Sequence, residues 1–133
     1  MSAASSIATL LHGRSTVLVI DDSEAVIKLV KLAAEADDIN LEVLSATTVK
    51  EAEGVLHRNG KKFLAVLQDV NLPDSTGWVF RERLLSQWPG LRVVMMSAAK
   101  ESFLELPPGQ LVNCYIKTGN FHKLLRQIKA QST

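Results

Sequence analysis

Cysteine is nearly absent. Cys114 is the only one in 133 residues, so no disulfide can close within the chain, and the expected setting is a reducing intracellular compartment, by default the cytoplasm. Four prolines and seven glycines are too few for a linker or a low-complexity block, and no internal repeat divides the sequence. Long apolar runs are missing near the amino terminus. Ile7-Ala8-Thr9-Leu10-Leu11 follows no positive cluster and falls far short of the roughly 20 residues that cross a bilayer, so residues 1–14 read as a tail and no membrane contact is expected. Neither sign of charge is in excess: the formal net charge is +1 with acids and bases interspersed, which gives no reason to expect nucleic acid as a direct partner. What is present is 47% hydrophobic residues, enough for one compact domain with its own core.

Short apolar runs alternate with helical patterns along the rest of the chain, a repeated βα rhythm. A first strand at about Thr16–Ile20 precedes a helix capped by Ser23, with Val26, Leu29, Val30 and Ala33 as its inward stripe. Asp37-Asp38 breaks that helix. Leu41-Glu42-Val43-Leu44 suits an edge strand, and Thr48 with Glu51 forms a capping box ahead of a second helix that Asn59-Gly60 ends. The third strand, Phe63–Gln68, leads through Asp69 into the loop Asn71-Leu72-Pro73-Asp74-Ser75-Thr76-Gly77. A third helix then carries Val79, Phe80, Leu84 and Trp88 inward, and Leu91–Met96 is the fourth strand. Leu106-Pro107-Pro108-Gly109 cannot continue a helix, so the fourth helix is expected to be short or irregular. Leu111–Ile116 supplies a fifth strand, and Asn120 caps a last helix carrying Phe121, Leu124, Leu125 and Ile128 at i, i+3, i+4 and i+7.

Right-handed crossovers turn this alternation into an α/β fold, a doubly wound five-stranded parallel sheet with the flavodoxin-like order 2-1-3-4-5. In that order strands one and three are neighbours. Asp21 and Asp22 close the first strand and Asp69 closes the third, so the three acids converge at the carboxyl edge of the sheet, where ligand crevices of such folds lie. Crowded carboxylates repel one another unless a proton or a cation offsets the charge, which points to a metal site. Strand four brings Ser97 beside them and strand five brings Lys117. Lys123, Arg126 and Lys129 read as a solvated basic face, and His12, His57 and His122 lack ligand spacing.

The acid pair Asp21-Asp22, Asp69 followed by Asn71-Leu72-Pro73 and Gly77, Ser97 and Lys117 together make the chain resemble a response-regulator receiver domain of two-component signalling, similar to the chemotaxis regulators. The likeness runs from about Thr16 to Ile128, which divides the chain into a tail (1–14), a receiver domain (15–131) and a carboxyl-terminal end (132–133). It implies a phosphoacceptor switch rather than a classical enzyme. Asp69 would take a phosphoryl group from a histidine kinase or a histidine phosphotransfer protein. Mg2+ would be held by Asp22, Asp69 and the backbone carbonyl of Asn71, with Asp21 ordering its waters. Lys117 and Ser97 would contact the phosphoryl oxygens and pass the change to a downstream domain or protein, and a homodimer is among the family's assemblies.

Two positions depart from the family pattern. Thr118-Gly119 follows Lys117 in place of the usual proline, and the aromatic switch position three before the lysine holds Cys114, leaving Tyr115 as the candidate aromatic switch. These departures keep open a pseudo-receiver that acts as a phosphorylation-independent interaction module. A haloacid-dehalogenase-type phosphatase is a further alternative, although the second acid of its signature falls on Ser23. Ala98 and Ala99 are small, so the route to an acyl phosphate on Asp69 is open. Ala99→Arg is therefore expected to slow its hydrolysis, measured as decay of phosphoprotein after the phosphodonor is removed; an unchanged rate would contradict open access.

Overall fold

Thr16–Ile20 forms β1, and all five residues are buried, as expected of a central strand covered on both faces. The structure is a computed structural model that describes residues 15–59, 63–98, 114–117 and 119–131. Beyond β1 it contains α1 (Glu24–Ala34), β2 (Glu42–Ala46), α2 (Val49–Asn59), β3 (Phe63–Asp69), α3 (Gly77–Gln87), β4 (Val93–Ser97), β5 (Cys114–Ile116) and α4 (Phe121–Gln131). The sheet is parallel throughout with the order β2-β1-β3-β4-β5, as the alternation predicts. A two-stranded antiparallel ribbon, Asn71–Leu72 with Ser75–Thr76, folds the loop between β3 and α3.

Side-chain alternation sorts the core into two layers. Leu18, Ile20, Val66, Val93 and Met95 face α2 and α3, where Ala52, Val55, Phe80 and Leu84 meet them. Val17, Val19, Ala65, Leu67, Val94 and Met96 face α1 and α4, meeting Ile27, Val30, Phe121, Leu125 and Ile128. Burying each such side chain contributes about 1.5–3 kcal/mol.

Several boundaries and faces differ from the sequence reading. The edge strand begins at Glu42, which pairs with Thr16; Leu41 instead fills the core below it, its amide donating to the carbonyl of Ala34 at 3.0 Å. Leu91 belongs to the turn closed by its amide on Trp88, so β4 starts at Val93 and extends to Ser97. In α1 the buried stripe is Ile27, Val30 and Ala34, and Leu29 is 45% exposed. The Ser23 hydroxyl accepts from the amide of Val26 as expected; Val30 is buried, Val26 and Ala33 pack at the margin of the core, and only Leu29 of the expected stripe turns outward. In α3, Phe80 and Leu84 point inward but Val79 is 56% exposed, while Trp88 lies 5.4 Å from the ring of His57. The expected fourth helix, residues 111–113 of the fifth strand, Gly60 and the Lys117–Thr118 bond fall outside the described residues.

The basic face of α4 is not simply solvated. Asp38, in the turn after α1, accepts from Arg126 at 3.1 Å and lies 3.1 Å from His122, while the Lys129 ammonium donates to the carbonyl of Ile39. These contacts join the two helices that cover one face of the sheet. Asn120 caps α4 as expected, accepting from the amide of Lys123.

Gly77 is the tightest position. Its amide donates to the carbonyl of Val70 at 2.6 Å, and a Cβ there would lie 2.4 Å from the carbonyl oxygen of Asp69, a clash with rigid backbone. Gly77→Ala is expected to cost about 3 kcal/mol and to lower Tm by about 10 °C in thermal melts followed by circular dichroism. A melt unchanged from the parent would refute this close approach.

Candidate acidic metal and phosphoryl site

The sheet ladder runs one rung past its strands. Asp21 donates its amide to Ala46 at 3.0 Å, Val70 to Met96 at 2.9 Å and Lys117 to Ser97 at 2.8 Å. The groups at this edge therefore stand on ordered backbone instead of free loops. Asp69 continues the alternation of Ala65 and Leu67, and Lys117 that of Tyr115, so both belong to the α1 and α4 side. Ser97 continues Val93 and Met95 on the other side, one residue beyond Met96, which pairs with Asp69.

Asp21, Asp22 and Asp69 each offer a carboxylate oxygen, and the three oxygens lie within 4.8 Å of one another. Asp21 is completely buried, Asp69 nearly so, and Asp22 faces solvent. The Lys117 ammonium reaches Oδ2 of Asp21 at 2.7 Å and Oδ1 of Asp69 at 3.3 Å. Local turns hold the acids: Asp21 Oδ1 accepts from the amide of Ser23 at 2.9 Å, and Asp69 Oδ1 accepts from the amide of Asn71 at 3.3 Å. One ammonium against three carboxylates leaves the cluster net negative, and a set of hard oxygen donors with one member open to water suits a divalent cation.

The acids, Asn71 and Lys117 thus meet at one edge as the sequence predicts. Tyr115 packs against Phe121, ring centroids 5.6 Å apart, while Cys114 packs into the opposite layer. Burial raises the Cys114 thiol above its ordinary pKa, against a smaller lowering by Arg81. Sequence reasoning missed two residues. Asp74, read as plain loop, accepts from the amides of Val49 at 2.9 Å and Lys50 at 3.2 Å, and so caps α2 from 25 residues away. Thr48 accepts from Glu51, but the Glu51 carboxylate turns to the Thr47 hydroxyl, so the expected capping box is half made. The second is Gln68, fully buried before Asp69, whose side-chain amide donates to the carbonyl of Gly77 at 2.6 Å. A polar residue inside an otherwise apolar central strand was the available signal.

The family model for the response regulator receiver domain matches residues 17–107. The chain belongs to this family. No curated protein sequence matches it. Among solved structures, this receiver is similar to a receiver domain protein from Methanospirillum hungatei at 27% identity, covering 90% of this chain and 94% of that one, with a TM-score of 0.67. The chemotaxis response regulator CheY4 of Vibrio cholerae is 24% identical over 90% and 99% of the two chains, TM-score 0.68. The response regulator TrrA of Thermotoga maritima, 18% identical over 87% and 97%, superposes with a TM-score of 0.72. Family membership removes the phosphatase alternative, and the residue two places after Asp21 is Ser23, which caps α1. Among the described residues no helix is long and apolar enough to cross a membrane.

Burial, and then the neighbouring Asp21 carboxylate, raise the pKa of Asp69 above its ordinary value; Lys117 and the Asn71 amide pull it down without cancelling the rise. A carboxyl raised in this way holds its proton more tightly folded than unfolded. Its stabilising contribution is complete below the ordinary aspartate value of about 3.9 and is lost as pH rises through the raised folded value. In EDTA at pH 7, Asp69→Asn is therefore expected to melt at a higher temperature than the parent, the difference shrinking at pH 3.5. An equal or lower melting temperature at pH 7 would contradict the stated balance of charge.

Proposed function

We propose that this receiver is a phosphoacceptor switch in which Asp69 takes a phosphoryl group from a phosphohistidine on a histidine kinase or a histidine phosphotransfer protein in the cytoplasm. The observation that carries this reading is the convergence of Asp21, Asp22 and Asp69 with the Lys117 ammonium in reach of two of them. In the transfer, a carboxylate oxygen of Asp69 bonds to phosphorus as the bond from phosphorus to the imidazole nitrogen breaks, and the imidazole takes a proton from solvent. Both reactants are anionic, so the step needs fixed positive charge.

Lys117 supplies part of it: its ammonium leaves Oδ1 of Asp69 for a phosphoryl oxygen while keeping its contact with Asp21. The remaining charge would come from Mg2+, which Asp22, Asp69 and the Asn71 carbonyl would hold, with Asp21 beside them, and which would screen the phosphoryl oxygens. The Thermotoga maritima relative was solved in complex with Mg2+-BeF, which supports the choice of ion. Ser97 donates to the phosphoryl oxygen after transfer and draws the end of β4 inward, and Tyr115 serves as the aromatic reporter of that movement to a downstream domain or protein.

Intact-mass measurement after incubation with acetyl phosphate and Mg2+ tests the reading. One phosphoryl adduct is expected on the parent and none on Asp69→Asn, with Lys117→Ala labelled more slowly. A parent protein that gains no adduct would favour the phosphorylation-independent interaction module.

A further inference from the structure

The acceptor strand carries an amide where its neighbours are apolar. Gln68 lies between Ile20 of β1 and Met95 of β4 in the sheet register and is completely buried. Its Nε2 donates to the Gly77 carbonyl at 2.6 Å, and its Oε1 is buried with no hydrogen-bond partner among the described residues. A buried acceptor left without a donor is unfavourable, and a methionine would fill the same space without that cost. Packing alone therefore does not account for a glutamine here.

Its contact explains it better. The segment from Asp69 to Gly77 carries both the phosphoacceptor and the Asn71 carbonyl, and it closes where Gly77 meets the backbone of Asp69 and Val70. Gly77 is gripped twice, by the Val70 carbonyl on its amide and by the Gln68 side chain on its carbonyl. The second grip originates from the residue next to Asp69 and points to the opposite face of the sheet from the Asp69 carboxylate. Building on the phosphoacceptor reading above, we propose that Gln68 is a positioning residue: by holding the Gly77 carbonyl, it fixes the relative placement of the Asp69 carboxylate and the Asn71 carbonyl toward a divalent cation. Stability is given up at Oε1 in return for a preformed ligand set.

The test compares Gln68→Met and Gln68→Leu with the parent. Mg2+ binding is measured by titration calorimetry without a phosphodonor, Tm is measured in EDTA, and the rate of labelling by acetyl phosphate is measured against Mg2+ concentration. The expected result is a Tm equal to or above the parent's, with Mg2+ affinity weaker by about 10-fold or more and labelling that needs correspondingly more Mg2+. A purely structural glutamine would instead lower Tm and leave the Mg2+ dissociation constant of the folded protein unchanged, which overturns the proposal. Loss of the fold in both variants, seen by circular dichroism, overturns it as well. If the parent takes neither Mg2+ nor a phosphoryl group, the phosphoacceptor reading itself fails; if the parent and both variants behave alike, only the role of Gln68 fails.

Discussion

The contact between the Lys117 ammonium and the carboxylates of Asp21 and Asp69 sets the terms for everything around it. It joins the ends of β1, β3 and β5, strands that a linear reading of the chain keeps far apart. Asp21 is fully buried, and a buried charge without a partner is among the costliest defects a fold can carry. The ammonium offsets part of that repulsion and leaves a deficit of positive charge at the mouth where Asp22 meets water. Such a deficit suits the cluster to a divalent cation.

The loop that follows Asp69 is held on three sides by short-range contacts of different kinds. Val70 and Gln68 grip Gly77 from the sheet, the ribbon pairs Asn71 with Thr76, and Asp74 reaches across to the first amides of α2. The Asp74 carboxyl lies below its ordinary pKa chiefly because the Val49 amide donates to it; desolvation opposes this, and the Lys50 amide and the backbone of Asp74 itself lower it further. Helix α2 and the loop after Asp69 are therefore tied through one carboxylate.

Elements governed by local pattern were legible from the residues alone. β1 and α4 lie where the apolar run and the i, i+3, i+4, i+7 spacing put them, and the acid trio follows from two strand ends and the strand order. What escaped depends on partners distant in sequence. Leu29 and Val79 fit a helical stripe as well as their neighbours do, and only the caps and the sheet beneath determine which residues turn outward. The ties from Asp74 to α2 and from Asp38 to Arg126 link residues 25 and 88 positions apart, a relation that no periodicity encodes. Gln68 was visible as an oddity, yet its meaning required knowing that Gly77 folds back onto its strand.

The ladder rungs at Asp21, Val70 and Lys117 carry a consequence for how such a protein diversifies. Of these, Asp21 and Val70 follow β1 and β3, the interior strands that belong to the portion that opens last, so the acids at their ends inherit the endurance of the core. Helix exteriors, by contrast, are free to change their side chains without disturbing it. New alliances can in this way be acquired by repainting the outside while the reacting atoms stay where they are.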